Sequence, residues 1–143
     1  MRILLDTNVI SEFRKSAKAD HNVMRWAADL RDEEVFLSVI SVFELELGAL
    51  RIARRDKRQG AMLRDWIDDR ILARFVGRIL PVDVPIALRA AELHVPNPRP
   101  ERDALIAATA LVHGMALATR NAADFRGTDL QIINPWQPWP YSP

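Results

Sequence analysis

Ile3-Leu4-Leu5-Asp6-Thr7-Asn8-Val9-Ile10 is a short apolar run that stops at an acid. The run reads as a buried strand, and Asp6, Thr7 and Asn8 are all residues that favour a helix N-cap. Similar runs recur at Val35 to Leu37, Ile79 to Val82, Met115 to Ala118 and Gln131 to Ile133. Between them lie rows at helical spacing: Val42, Leu45, Ala49 and Ile52; Met62, Trp66 and Ile67; Ala87, Ala90, Ala91 and His94; and Ile106, Ala107, Ala110 and Leu111. Strand and helix alternate, so the chain reads as an α/β fold with a mainly parallel central sheet. The strands are hydrophobic on both faces, as a sheet covered by helices on each side requires. Functional groups in such a fold belong just after a strand or at the start of a helix.

Asp6 meets that requirement directly. Glu44 follows the second strand in Ser38-Val39-Ile40-Ser41-Val42-Phe43-Glu44, where Ser41 and Glu44 also fit a capping box. Asp103 falls in the first turn of a helix, where the macrodipole favours an acid without any function. Asp124 comes after the fourth strand, behind Asn121, itself a helix-capping residue. Each acid has a purely structural reading. Together they are predicted to gather at one end of the sheet, where like charges repel and are costly to desolvate. A bound cation would offset that cost, and helix N-termini nearby would favour the ionised carboxylates. Oxygen-only ligands select a hard ion, Mg²⁺ or Mn²⁺. Such an ion suits hydrolysis of a phosphodiester by an activated water.

Bulk composition narrows the alternatives. The chain has 143 residues, the common size of one domain, with 49% hydrophobic and 27% charged residues. Its net charge of +1 supplies no overall field for a nucleic acid, so any basic footprint is local. There is no cysteine, which excludes disulfides, thiolate metal sites and thiol nucleophiles. The histidines His21, His94 and His113 lack paired ligand spacing for zinc. The amino-terminal apolar run is far too short for a signal peptide or membrane span, and the expected compartment is cytoplasmic. One domain, 1–143, is expected, with a Pro/Trp-rich tail from about residue 134.

The motifs resemble PIN-domain ribonuclease toxins of type II toxin–antitoxin systems: the VapC family, and its FitB-like branch in particular. Ile3 to Glu12 is similar to the family's opening. Asp103-Ala104-Leu105-Ile106-Ala107-Ala108-Thr109-Ala110 resembles its third motif, and Thr119-Arg120-Asn121 with Asp124-Phe125 its fourth. Asn134-Pro135-Trp136 resembles the branch's ending. The resemblance implies a three-layer α/β/α fold and a Mg²⁺- or Mn²⁺-dependent endoribonuclease. It implies an RNA substrate, a cognate antitoxin encoded alongside and a homodimer. Asp6, Glu44 and Asp103 match the metal-holding acids, and Asp124 matches a fourth that acts from further away. Thr7 and Asn121 match the polar residues that orient the acids. The proline-rich approach Val95-Pro96-Asn97-Pro98-Arg99-Pro100 departs from the pattern and bears on the rim of the site.

Other features carry competing readings. Arg51, Arg54, Arg55, Lys57 and Arg58 form a basic run that suits either an RNA backbone or a solvated helix end, and the second is favoured. Arg120 stands nearer the acids and is the candidate phosphate contact. Trp26, Trp66, Trp136 and Trp139 suit packing better than base stacking. A phosphatase using Asp6 as nucleophile would usually carry a second Asp at the position of Asn8. A catalytically silent module binding RNA or a partner would not need all the acids.

Overall fold

The structure is a computed structural model and describes residues 1–138. The central sheet holds five strands: β1 (Ile3–Leu5), β2 (Val35–Ser38), β3 (Ile79–Leu80), β4 (Ala116–Ala118) and β5 (Ile132–Ile133). Their order is β3-β2-β1-β4-β5, and every pairing is parallel. The helices are α1 (Thr7–Arg14), α2 (His21–Ala28), α3 (Val39–Arg55), α4 (Lys57–Trp66), α5 (Val84–Leu93) and α6 (Glu101–His113). A widened π-type turn, Ile67–Leu72, prolongs α4.

The alternation inside β1 explains the three layers. Ile3 and Leu5 join Val9, Ile10, Leu37, Leu45, Leu63 and Ile67 on one side of the sheet. Leu4 points the other way, into Ile86, Ala90, Ala104, Ile106, Ala107 and Leu117. Helices α1, α3 and α4 supply the first core and α5 and α6 the second. Both faces are dry, which is why the strands read as unbroken apolar runs. No described helix is long and apolar enough to cross a membrane.

The expected elements are present with shifted ends. β3 stops at Leu80 because Pro81 has no N–H for the ladder. β4 begins at Ala116 rather than Met115, and β5 at Ile132 rather than Gln131. In α5 the buried row is Ile86, Ala90 and Leu93, while Ala87 and Ala91 face solvent. Met62 is 53% exposed, so it lies off the core face expected for it. Where α3 and α4 cross, Gly60 is buried, and a Cβ placed on it would lie 2.5 Å from Ala53 Cβ. A glycine is what permits this close approach.

Chain order fixes where the cleft opens. From β1 the chain moves outward through β2 to β3, then crosses back to β4 on the far side of β1. The two directions separate between β1 and β4, where an α/β sheet leaves a crevice beyond its carboxyl ends. Asp6 and Thr119 are the first residues past these two strands.

Candidate active site

A cleft of about 450 Å³ opens at this point, and Asp6, Glu44 and Asp103 line it together with Thr7 and Asn121. Asp6 is both a cap and a cleft residue. Its Oδ1 accepts the Thr7 N–H at 2.8 Å, and its Oδ2 accepts the Thr119 hydroxyl at 2.7 Å. Its own N–H donates to the Ala118 carbonyl at 2.9 Å, fixing it to the end of β4. Only 6% of Asp6 is exposed. Burial raises its carboxyl above the ordinary aspartate value; the bonds from Thr119 and Thr7 oppose this, and the charges of Glu44 and Asp124 add to it.

Glu44 does not serve as the capping-box partner of Ser41. Helix α3 begins earlier, at Val39, and its cap is Ser38, whose hydroxyl accepts the Ile40 N–H at 3.0 Å. Ser41 therefore sits inside the helix, fully buried. Glu44, one turn further, turns towards α1: its Oε1 accepts the Thr7 hydroxyl at 2.7 Å. Thr7 Oγ1 also lies 2.9 Å from Ser41 Oγ. One hydroxyl proton serves the carboxylate, so Ser41 is left to donate to Thr7. The remaining Glu44 oxygen is 3.8 Å from Arg102, whose guanidinium lies over the Phe43 ring.

Asp103 is the third residue of α6, behind Pro100 as cap. Its carboxyl is pushed up to about 6, first by burial and then by the charges of Asp6, Glu44 and Asp124. At about 6 the carboxyl is still mostly ionised at neutral pH. Asp124 stands apart: it is exposed, within a short 3-10 turn at Ala122–Phe125, and is not part of the cleft wall. Its charge nevertheless reaches both Asp6 and Asp103. Asn121 makes no side-chain cap to that turn. Its backbone N–H, rather than its amide, enters the network by donating to Thr119 Oγ1 at 3.1 Å.

The donor set fits a hard cation. Carboxylates converge from the end of β1 and from α3 and α6, and the proton affinities of Asp6 and Asp103 are raised first by burial and then by neighbouring acidic charges that a cation would offset. Among the described residues no three acidic or histidine side chains already stand in a geometry that closes on one ion.

Several contributors escaped sequence reading. Thr119 and Asn8 carry the network around Asp6: Asn8 Nδ2 donates to Thr119 Oγ1 at 3.4 Å, and Asn8 Oδ1 accepts the Arg120 N–H at 3.3 Å. Glu12 lines the cleft though its residue number gives no hint of it beyond the helical spacing from Asn8. Arg99, in the proline-rich loop, donates to the carbonyls of Leu93 at 3.0 Å, Asp124 at 2.7 Å and Arg126 at 3.0 Å. That loop thus braces the turn bearing Asp124. The basic run Arg51 to Arg58 is exposed and none of it lines the cleft. Trp26 and Trp66 pack against the first core, as does Trp136, whereas Trp139 lies outside the described residues. His94 Nδ1 accepts the Arg99 N–H at 3.1 Å, a structural role.

A family model described as the PIN domain matches residues 3–129. The chain belongs to the PIN domain family. Toxin FitB of Neisseria gonorrhoeae is 37% identical over 139 residues, covering 94% of this chain and 98% of that protein. VapC ribonuclease Y4jK of Sinorhizobium fredii is 36% identical over 141 residues, covering 95% and 99%. A solved structure of FitAB bound to an IR36 DNA fragment aligns with a TM-score of 0.86 at 36% identity, over 98% of this chain and 99% of that one. The parallel sheet and flanking helices of this PIN domain are those of that structure.

Proposed function

We propose that this PIN domain, over residues 1–143, is the toxin of a type II toxin–antitoxin pair and an endoribonuclease that hydrolyses RNA phosphodiester bonds. The carrying observation is the convergence of Asp6, Glu44 and Asp103 on one cleft, with the proton affinities of Asp6 and Asp103 raised by burial and mutual repulsion. In this reading Asp6, Asp103 and Glu44 hold Mg²⁺ or Mn²⁺, and Asp124 acts from the rim. The bound ion would polarise the phosphoryl oxygen and lower the pKa of the attacking water. The chain's own work is placement. Thr119 and the Thr7 N–H hold both oxygens of Asp6, and Thr7 with Ser41 aims Glu44. Asp103, with its carboxyl near 6, is mostly ionised at neutral pH and able to bind a cation.

The names of similar proteins, a VapC ribonuclease and the toxin FitB, support the activity and the toxin role. The solved FitAB complex supports a partner protein, here an antitoxin encoded alongside. A homodimer and a cytoplasmic location belong to the same proposal.

The test is cleavage of single-stranded RNA by purified protein with Mg²⁺, Mn²⁺ or a chelator. Asp6→Asn and Asp103→Asn are expected to abolish metal-dependent cleavage while keeping the folded circular-dichroism spectrum. Undiminished cleavage by rigorously purified variants would overturn the assignment. Expression without the antitoxin should arrest growth for wild type and not for Asp6→Asn.

A further inference from the structure

The acids occupy only part of the cleft wall. Glu12, Lys15, Arg120 and Trp136 line the rest. We propose that Arg120 and Lys15, with Trp136 as platform, form a subsite for an RNA backbone phosphate adjacent to the bond that is cut. This rests on the endoribonuclease reading and adds to it where the chain itself supplies positive charge.

Arg120 follows Thr119, so its backbone is anchored beside Asp6. Its side chain is exposed, and its guanidinium lies over the Trp136 ring, 5.2 Å from the centroid. Among the described residues that guanidinium has no hydrogen bond and no ion pair. The ring beneath it is fixed. The Trp136 carbonyl accepts Asn22 Nδ2 at 2.9 Å, its N–H donates to Asn134 Oδ1 at 3.0 Å, and the indole packs on the first core. A guanidinium resting on an aromatic face keeps its planar fork of donors free, the geometry that suits a phosphate.

Lys15 closes α1, the helix that Asp6 opens. Nine residues at 1.5 Å each put the two α-carbons about 13 Å apart along the axis. Lys15 is 55% exposed and makes one ion pair, at 2.9 Å, to Glu12. The other Glu12 oxygen accepts the Asp20 N–H at 2.8 Å. Glu12 is therefore tied on both oxygens, and it steadies Lys15 rather than facing a ligand. Two of the three ammonium donors remain for the cleft.

Charge makes the need concrete. Four acids line this cleft, Asp6, Glu12, Glu44 and Asp103, against two bases, Lys15 and Arg120. The chain as a whole carries +1 and cannot steer a polyanion. A cation at the acids would serve the scissile phosphate. The neighbouring phosphate needs its own partner, and Arg120 and Lys15 are the bases of the cleft wall.

The experiment compares Arg120→Gln, Lys15→Gln and their combination. A fluorescent single-stranded RNA oligonucleotide is titrated by anisotropy against Asp6→Asn protein in Mn²⁺ at several KCl concentrations. Cleavage kinetics are measured in the otherwise wild-type chain. Each substitution should weaken RNA binding about 10-fold and lower the slope of log affinity against log salt by about 1, the double by about 2. In cleavage KM should rise with kcat little changed. Trp136→Leu, which retains apolar packing, should weaken binding less than Arg120→Gln. Salt slopes equal to the parent's would overturn the proposal, as would a fall in kcat with binding intact. So would competition by polyglutamate as effective as unlabelled RNA, since the site would then take an acidic peptide. Reduced salt slopes in a protein that never cuts RNA would uphold the subsite while refuting the nuclease; normal cutting with unchanged slopes would do the reverse.

Discussion

Thr119 Oγ1 donates to Asp6 Oδ2 at 2.7 Å, joining the ends of β1 and β4 across 113 residues of sequence. The hydroxyl is fully used: it gives its proton to Asp6 and accepts from the Asn121 N–H at 3.1 Å and Asn8 Nδ2 at 3.4 Å. Thr119→Val keeps the shape and removes all three bonds. Thr119 and Asp6 are buried whereas Asn8 and Asn121 border the open cleft, so the loss falls mainly on the Asp6 bond and should be about 1–2 kcal/mol in urea unfolding. The Asp6 carboxyl should titrate higher still, and Mn²⁺ affinity by calorimetry should fall about 10–100-fold. Thr119→Ser should restore most of both. Wild-type Mn²⁺ affinity in Thr119→Val would show that the hydroxyl does not orient Asp6.

The raised carboxyl of Asp103 makes stability depend on pH with a definite sign. The folded chain binds this proton more tightly than the unfolded one, about 6 against 3.8. The contribution is therefore fully present below about pH 4 and is lost as pH rises through 6. Asp6, shifted in the same direction, adds to it. Taken in full the Asp103 shift is worth about 3 kcal/mol, but solvent screens this half-exposed group, leaving on the order of 1 kcal/mol. Metal-free Asp103→Asn should thus be more stable than wild type at pH 7, and the gap should close by pH 4. In wild type Mn²⁺ should narrow the gap at pH 7 and bind progressively more weakly below pH 6, since it requires the ionised carboxylate. Parallel stability profiles for the two metal-free proteins would contradict this account.

At the crossing of α3 and α4 two effects of opposite sign compete. Gly60→Ala in a helix interior ordinarily gains about 1 kcal/mol from propensity. Here the new methyl would meet Ala53 Cβ at 2.5 Å and Ala53 Cα at 2.6 Å, and the latter is backbone that cannot swing aside. Overpacking of this kind costs about 1–3 kcal/mol, so the clash outweighs the propensity. Thermal unfolding should show a lower Tm for Gly60→Ala, and Ala53→Gly in the same chain should not restore it, because the contacts with the residue 53 backbone remain and a second glycine weakens α3. An unchanged or raised Tm would mean that the helices part at little cost.

What was legible in the sequence and what was not divide along a physical line. The strands and the sheet's parallel character followed from runs such as Ile3 to Leu5, because a strand buried on both faces must be apolar throughout. Asp6 and Asp103 were legible because each stands at a junction of strand or loop with helix. Glu44 was ambiguous: the S-x-x-E spacing from Ser41 is equally that of a cap, and only the earlier helix start at Val39 frees it to meet Thr7. Thr119 and Asn8 were not legible as a pair, since their bond spans 111 residues and depends on the register of β1 with β4. The reach of Arg99 into the Asp124 turn was hidden for the same reason: a side chain crossing between loops leaves no periodic trace.

Arg99 offers the sharpest test of whether Asp124 matters. Its guanidinium clamps three carbonyls, those of Leu93, Asp124 and Arg126, so it ties the end of α5 to the turn carrying the fourth acid. Lysine has one donor centre and cannot span that fork. Arg99→Met keeps the aliphatic stem and removes the clamp. Stability should fall by on the order of 1 kcal/mol, the net worth of a few part-exposed hydrogen bonds. Hydrogen exchange should quicken at the amides of Asp124 and Arg126, whose bonds to the Asn121 and Ala123 carbonyls close the turn. If Asp124 contributes charge to the cleft from a held position, cleavage should drop in both Arg99→Met and Arg99→Lys. In an Asp124→Asn background Arg99→Met should then add no further loss, since the clamp would have nothing left to position. Additive losses in that double variant would assign Arg99 a role independent of Asp124.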